Sequence, residues 1–291
     1  MGVHSRDLSQ NPCHMCMPMG GILALKGVEG SMSLLHGSQG CSTYMRRHIA
    51  EHFNEPVDVA SSSLNEKGTV YGGQANLKKA LDNVRRVYNP KIIGILTTCL
   101  AETIGEDIRR IASEYKLETE CECSIVTAAT PGYGGTHTEG YWSTLREMLA
   151  QLSGPVPAHG GVNIIAPAAF SPADLREMKR WLELFAVDYT LLPDISETMD
   201  RPYENSYSKI ASGGTPLEKI FNMAGAVATL ELGGPVDEKL SPGAWLQEAH
   251  GVPLYKLPIP IGLANTDRFF NVLEQVTGKR FPPYCCANAA Y

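Results

Sequence analysis

The sequence predicts an α/β chain of two domains, each built on a mainly parallel sheet. Short apolar runs alternate with segments of helical period in both halves, the rhythm of strands joined by crossover helices. Ile92-Ile-Gly-Ile-Leu-Thr-Thr98 is one continuous apolar run, the pattern of a parallel strand covered on both faces. Between the two series lies Gly154-Pro-Val-Pro-Ala-His-Gly-Gly161, which reads as a linker. The expected domains are therefore 1–155 and 156–291, and 291 residues suffice for two domains of ordinary size.

Taken in order, residues 1–56 are rich in Gly, His, Met and Cys and poor in periodicity, so they read as loops and short helices around a site. Val57–Ser61 reads as a short strand. Gln74–Tyr88 places Leu77, Leu81, Val84 and Val87 at helical spacing, and Asn89-Pro90 stops it. After the 92–98 strand, Ala101–Tyr115 reads as a helix whose early acids suit its dipole. Ser124–Ala128 is the next strand. In the second half Val162–Ala166, Tyr189–Leu192, Ala228–Leu232 and Leu254–Leu257 read as strands. Helices are expected at Pro172–Phe185, capped by Ser171 with Pro at its first position, and at Pro216–Met223, Pro242–His250 and Thr266–Thr277.

Net charge is −6, with no basic face that would fit nucleic acid as the main partner. No run of 18 apolar residues predicts a membrane span, and the first residues lack the apolar core of a signal peptide. No GxGxxG or Walker A motif appears. A cytoplasmic chain with eight cysteines is expected to use them for metal or packing rather than disulfides.

Three of those cysteines carry the chemistry. Cys16 lies in Asn11-Pro-Cys-His-Met-Cys-Met-Pro-Met-Gly-Gly21, Cys41 ends His36-Gly-Ser-Gln-Gly-Cys41, and Cys99 follows the buried strand. Thiolates on short glycine-flanked turns suit an iron–sulfur cluster, and soft sulfur selects iron–sulfur, zinc or copper(I). Cys99 stands at the carboxyl end of a strand, where doubly wound sheets put ligands; the competing reading is an inert buried thiol. His36 reads as a scaffold residue, and Glu102, Glu106 and Asp107 as helix-start acids. Cys13 and Cys16 form a C-x-x-C, but the poor spacing of Cys121-Glu-Cys123 argues against a structural zinc. Arg46, Arg47, His48 and His52 read as a solvated helix face. Cys285-Cys286 lie in a tail with no amphipathic pattern.

These segments, with His52-Phe-Asn-Glu-Pro56, Ala60-Ser-Ser-Ser63, Tyr71-Gly-Gly73, Thr97-Thr-Cys-Leu-Ala-Glu-Thr-Ile-Gly-Glu-Asp107, Asp188–Asp194 and Gly213-Gly-Thr-Pro216, resemble the nitrogenase component 1 family over roughly residues 10–280. The resemblance is strongest to its β-type half, which comprises the catalytic β subunit and the N-type subunit of the cofactor-assembly scaffold. It implies Rossmann-like domains, and a third domain beyond the point where this chain stops; the tail after Phe281 reads as a truncation or altered reading. In the catalytic subunit, the resemblance makes Cys16, Cys41 and Cys99 ligands of half an 8Fe–7S P-cluster. A serine that can add a ligand there is matched by Gly132. In the scaffold, Cys41 alone joins three partner cysteines on a 4Fe–4S cluster.

Three functions compete. The first expectation is a scaffold subunit passing electrons during maturation of the iron-molybdenum cofactor. The second is the catalytic β subunit, and the third a non-catalytic interaction protein with relic cysteines. Either cluster reading implies an α-type or E-type partner in a heterotetramer, with the nitrogenase iron protein as electron donor. No side chain is assigned a general acid or base role, because the cluster carries the redox chemistry.

Overall fold

The computed structural model describes residues 15–53, 55–202 and 208–280. The chain divides into two compact units. The first comprises Met1–Leu25, Ser31–His52 and Pro56–Leu145; the second comprises Lys26–Gly30, Phe53–Glu55 and Arg146–Tyr291.

The first unit holds four parallel strands, β1 (Ser31–His36), β2 (Val59–Ser61), β3 (Ile92–Thr97) and β4 (Ser124–Ala128), in the order β2-β1-β3-β4. Around them run α1 (Met17–Lys26), α2 (Gln39–Ala50), α3 (Glu66–Tyr71), α4 (Gln74–Tyr88), α5 (Cys99–Thr103), α6 (Ile108–Thr119) and α7 (His137–Leu152). Alternate strand residues choose the face they bury. Met32, Leu34, Ile93 and Ile95 pack with Leu77, Leu81 and Val84 of α4 and Ile108, Ile111 and Tyr115 of α6. On the other face the Leu25 side chain of α1 covers Gly94, where a Cβ would come within 2.9 Å of Leu25 Cγ. Removal of these apolar side chains from water on both faces is what holds the sheet.

The second unit repeats the plan with β5 (Val162–Ile165), β6 (Tyr189–Leu192), β7 (Ala228–Leu232) and β8 (Leu254–Leu257), parallel and ordered β6-β5-β7-β8. Its helices are α8 (Pro172–Leu184), α9 (Leu217–Phe221), α10 (Pro242–His250) and α11 (Gly262–Thr277). Ser171 and Asp174 close a full capping box at the start of α8. Trp181 of α8 and Phe185, which caps its carboxyl end, meet Phe269 and Phe270 of α11 at ring separations of 5.3–6.3 Å. Among the described residues no helix is long and apolar enough to cross a membrane.

Several expectations need correction. Residues 17–50 hold two short helices, α1 and α2, in keeping with the expectation of loops and short helices, but they also supply a strand inside the sheet, β1, that was not expected. The expected helix 101–115 is two helices, broken where Gly105 takes φ +77°. The helix α7 had no counterpart in the sequence reading, and α11 begins at Gly262 rather than Thr266. The Pro216–Met223 segment is α9 followed by a 3₁₀ turn at Asn222–Gly225.

Candidate cluster-binding edge

Strands β1, β3 and β4 are neighbours, and all three run toward the same edge of the first sheet. His36 and Thr97, their last residues, are register partners, so the segments leading to Cys41 and Cys99 leave side by side. Thr98 then donates its N–H to His36 O at 3.1 Å. The buried Thr130 hydroxyl donates to Thr97 O at 2.8 Å, and Thr97 Oγ1 accepts the Thr130 N–H, which fixes Pro131-Gly132 beside the same edge.

Cys99 is the first residue of α5 and is exposed. Gly132 donates its N–H to Cys99 Sγ at 3.2 Å. Cys16 arrives from a separate direction: it pairs with Thr136 as an isolated antiparallel bridge, and His137 donates its N–H to Met15 O at 2.8 Å. A Cβ on Gly132 would sit 3.1 Å from Cys16 Sγ and 3.2 Å from Cys99 Sγ, so the two thiols face one small space that glycine leaves open. Partial burial raises the Cys16 thiol pKa first, and the nearby Cys99 and Cys41 thiols raise it further. All three sulfurs therefore share one electrostatic neighbourhood.

The Cys41 segment is not the tight turn expected. Gln39 and Gly40 already belong to α2, and Cys41 is the third residue of that helix. Its Sγ lies 3.6 Å from Ser38 Oγ. Gly37 is needed sterically, because a Cβ there would overlap the Thr98 hydroxyl. Gly40 is not: among the described residues, a Cβ there meets no atom within 4 Å beyond its chain neighbours and the backbone of its own helix.

His36 is fully buried and braces the turn. Its Nδ1 lies 2.9 Å from Ser62 Oγ, which accepts the Gly37 N–H at 3.0 Å, and its Nε2 lies 3.4 Å from Glu106 Oε2. Burial lowers the imidazole pKa, against the opposing pull of Glu106. A neutral ring satisfies the set by donating from Nε2 to Glu106 and accepting the Ser62 hydroxyl at Nδ1. Glu106 also takes the Gly73 N–H at 2.6 Å, so it is a brace rather than a helix-start acid. Asp107 alone caps α6, accepting from Arg110 N. The basic residues after Cys41 pair with surface acids, Arg46 with Asp58 and Arg47 with Glu51.

Sequence reasoning missed the roles of Gly132 and Glu106; the proximity of Thr-Pro-Gly to a strand end was the available signal for the first. Cys121 and Cys123 are not part of this edge, since they precede β4 at its other end. Cys13, Cys285 and Cys286, with Asn11, Pro12 and Asn54, lie outside the described residues. Among the described residues no three His, Cys, Asp or Glu side chains are close enough to hold a single metal ion. The edge nevertheless fits a multi-iron cluster better than one ion: the donors are soft sulfurs, an N–H already points at one of them, and glycine keeps the space between them clear.

A family model for nitrogenase component 1 type oxidoreductases matches residues 16–289. The chain belongs to this family. The nitrogenase molybdenum-iron protein beta chain of Clostridium pasteurianum is 34% identical over 283 residues, which cover 96% of this chain and 61% of that one. The beta chain of Azotobacter vinelandii is 33% identical, over 94% of this chain and 54% of that protein. A solved structure described as nitrogenase Cp1 at pH 6.5 superposes with a TM-score of 0.89 at 33% identity, covering 98% of this chain and 62% of that chain. The chain is thus of the β type, and it spans about three fifths of the length of the first of these relatives. Similarity to catalytic beta chains favours the second of the three functions considered above over the cofactor-assembly scaffold.

Proposed function

We propose that this chain acts as a β-type subunit of a catalytic nitrogenase component 1, with Cys16, Cys41 and Cys99 as its thiolate ligands to a P-cluster-type iron–sulfur cluster. The observation that carries the reading is the shared space of Cys16 and Cys99 at Gly132, with Cys41 in the same electrostatic neighbourhood. A scaffold that needs Cys41 alone has no use for two further converging thiols. Bound there, the cluster would store and pass single electrons. The chain's own residues orient the donors: Gly132 N–H offsets charge on Cys99, and the Ser62–His36–Glu106 brace fixes the turn between β1 and α2.

Three thiolates on one edge are half of such a ligand set, so the proposal includes an α-type partner subunit in a heterotetramer. It also includes electron delivery by the nitrogenase iron protein, a cytoplasmic setting, and domains divided at 155/156. The test is anaerobic co-expression with the α-type partner, followed by iron and sulfide analysis and EPR. About eight irons per heterodimer are expected; about four would favour the scaffold reading and none the relic reading. Cys16→Ala, Cys41→Ala and Cys99→Ala should each lower iron content and alter the EPR signal. Loss confined to Cys41→Ala would overturn the proposal in favour of the scaffold.

A further inference from the structure

The first unit carries a second pair of sulfurs with no role in that site. Cys121 and Cys123 flank Glu122 in the connection from α6 to β4, so the length of β4 separates them from the edge bearing Cys99. Both thiols are free, and their sulfurs approach to 2.9 Å, inside ordinary contact for two unlinked sulfur atoms. Glu120 at φ +47° ends α6 and turns the chain into this segment. Cys121 belongs to the core with Ile111, Tyr115 and Ile125, whereas Cys123 packs on the rim of that core and is partly exposed.

Packing alone does not require two thiols to meet at this distance. A disulfide requires the two Cβ–Sγ vectors to converge, and here they already do. Arg85 and Lys116 place positive charge near Cys123, which opposes but does not outweigh the burial and the Cys121 contact that hold its thiol protonated.

We propose that Cys121 and Cys123 form a dithiol that oxidises reversibly to an intraloop disulfide by exchange with a small-molecule disulfide such as oxidised glutathione. The Cys123 thiolate, the more accessible, attacks one sulfur of the oxidant. A mixed disulfide forms and one glutathione thiolate leaves. The Cys121 thiolate then attacks the Cys123 sulfur, closes the protein disulfide and expels the second glutathione thiolate. The pair gives up two electrons and two protons; the oxidant gains both and departs as two thiols. Burial, then the bond to Cys121, pushes the Cys123 thiol up to about 12, so the first step is slow at neutral pH and the pair is no rapid peroxide sensor.

The test uses the full chain, purified anaerobically and equilibrated with glutathione buffers of stepped oxidised-to-reduced ratio. Samples are quenched in acid, alkylated and digested with trypsin. The tryptic peptide Leu117–Arg146 contains Cys121 and Cys123 and no other cysteine. With rising oxidant this peptide should lose two hydrogens and both alkylation sites together, and dithiothreitol should restore both. In Cys121→Ser the same peptide should instead retain glutathione on Cys123. A wild-type peptide that stays doubly alkylated across the series, or that accumulates a stable glutathione adduct, would overturn the proposal.

Discussion

The two sheets share one topology, and their carboxyl edges do opposite things with it. In the first, β1 and β3 lead into helices whose opening turns carry Cys41 and Cys99, and Gly132 after β4 keeps space in front of a thiol. In the second, the protein fills its own edge. Glu231 of β7 is fully buried and accepts the Ser241 hydroxyl at 2.7 Å and the Gly243 N–H at 2.9 Å, both at the start of α10. After β6, Asp194 takes Lys179 at 3.0 Å. A helix N-terminus that elsewhere receives an anionic ligand is here occupied by an internal carboxylate. Strand order thus fixes where a site can form, and the residues just past the strand ends decide whether one does.

The largest effect is expected where α1 and α7 cross in the first unit. A Cβ on Gly140 would come within 2.7 Å of the Met17 backbone, and one on Gly20 within 2.6 Å of Tyr141 N. Backbone cannot swing aside as a side chain can. Gly140→Ala should cost about 3 kcal/mol, the upper range for overpacking, read as a fall in urea midpoint. It should also separate Cys16 from Cys99, because Cys16 immediately precedes α1 and Gly132 precedes α7. A variant with unchanged midpoint and full iron would break the claim that this helix contact positions the first edge.

The second edge gives an intermediate effect. Glu231→Ala strands the Ser241 hydroxyl and the Gly243 N–H and should cost about 2 kcal/mol. Glu231→Gln keeps an acceptor and removes the charge. Burial raises the Glu231 pKa above its ordinary 4.5, with Ser241 and Gly243 opposing. The folded state therefore holds this proton more tightly than the unfolded state. That stabilisation is complete below pH 4.5 and is lost as pH rises through the folded pKa. The melting temperature of Glu231→Gln relative to wild type should accordingly rise from pH 4 to pH 8. A difference that stays flat with pH would show that Glu231 is not a buried titrating carboxylate.

Legibility in the sequence follows the same contrast. Strands buried on both faces announce themselves, and Ile92–Thr97 and Ala228–Leu232 stand close to where their apolar runs place them. The central strand β1 hides because Ser31-Met-Ser-Leu-Leu-His36 interleaves polar residues whose partners are remote or outside the strand: Ser31 donates to Leu25 O and His36 reaches Ser62. Helix α7 hides because Gly140, poor for an isolated helix, is selected by contact with α1. At the site, cysteine chemistry was readable residue by residue. The contributions of Gly132 and Glu106 were not, since each acts on a residue more than 30 positions away.

The smallest expected effect separates what this chain needs from what a partner or cluster would need. Gly37 and Gly40 look alike in His36-Gly-Ser-Gln-Gly-Cys41. The structure divides them: Gly37 lies against Thr98, while Gly40 sits in the first turn of α2 facing open space. Gly40→Ala should therefore leave the isolated chain unchanged or stabilise it by about 0.5 kcal/mol, since alanine loses less backbone freedom in a helix than glycine. If the open space beside Gly40 is where a cluster or partner chain approaches Cys41, the same variant should lose iron when co-expressed with the α-type subunit. Stability held constant while iron falls would place an external body at that edge. Both held constant would show that the glycine before Cys41 serves neither role.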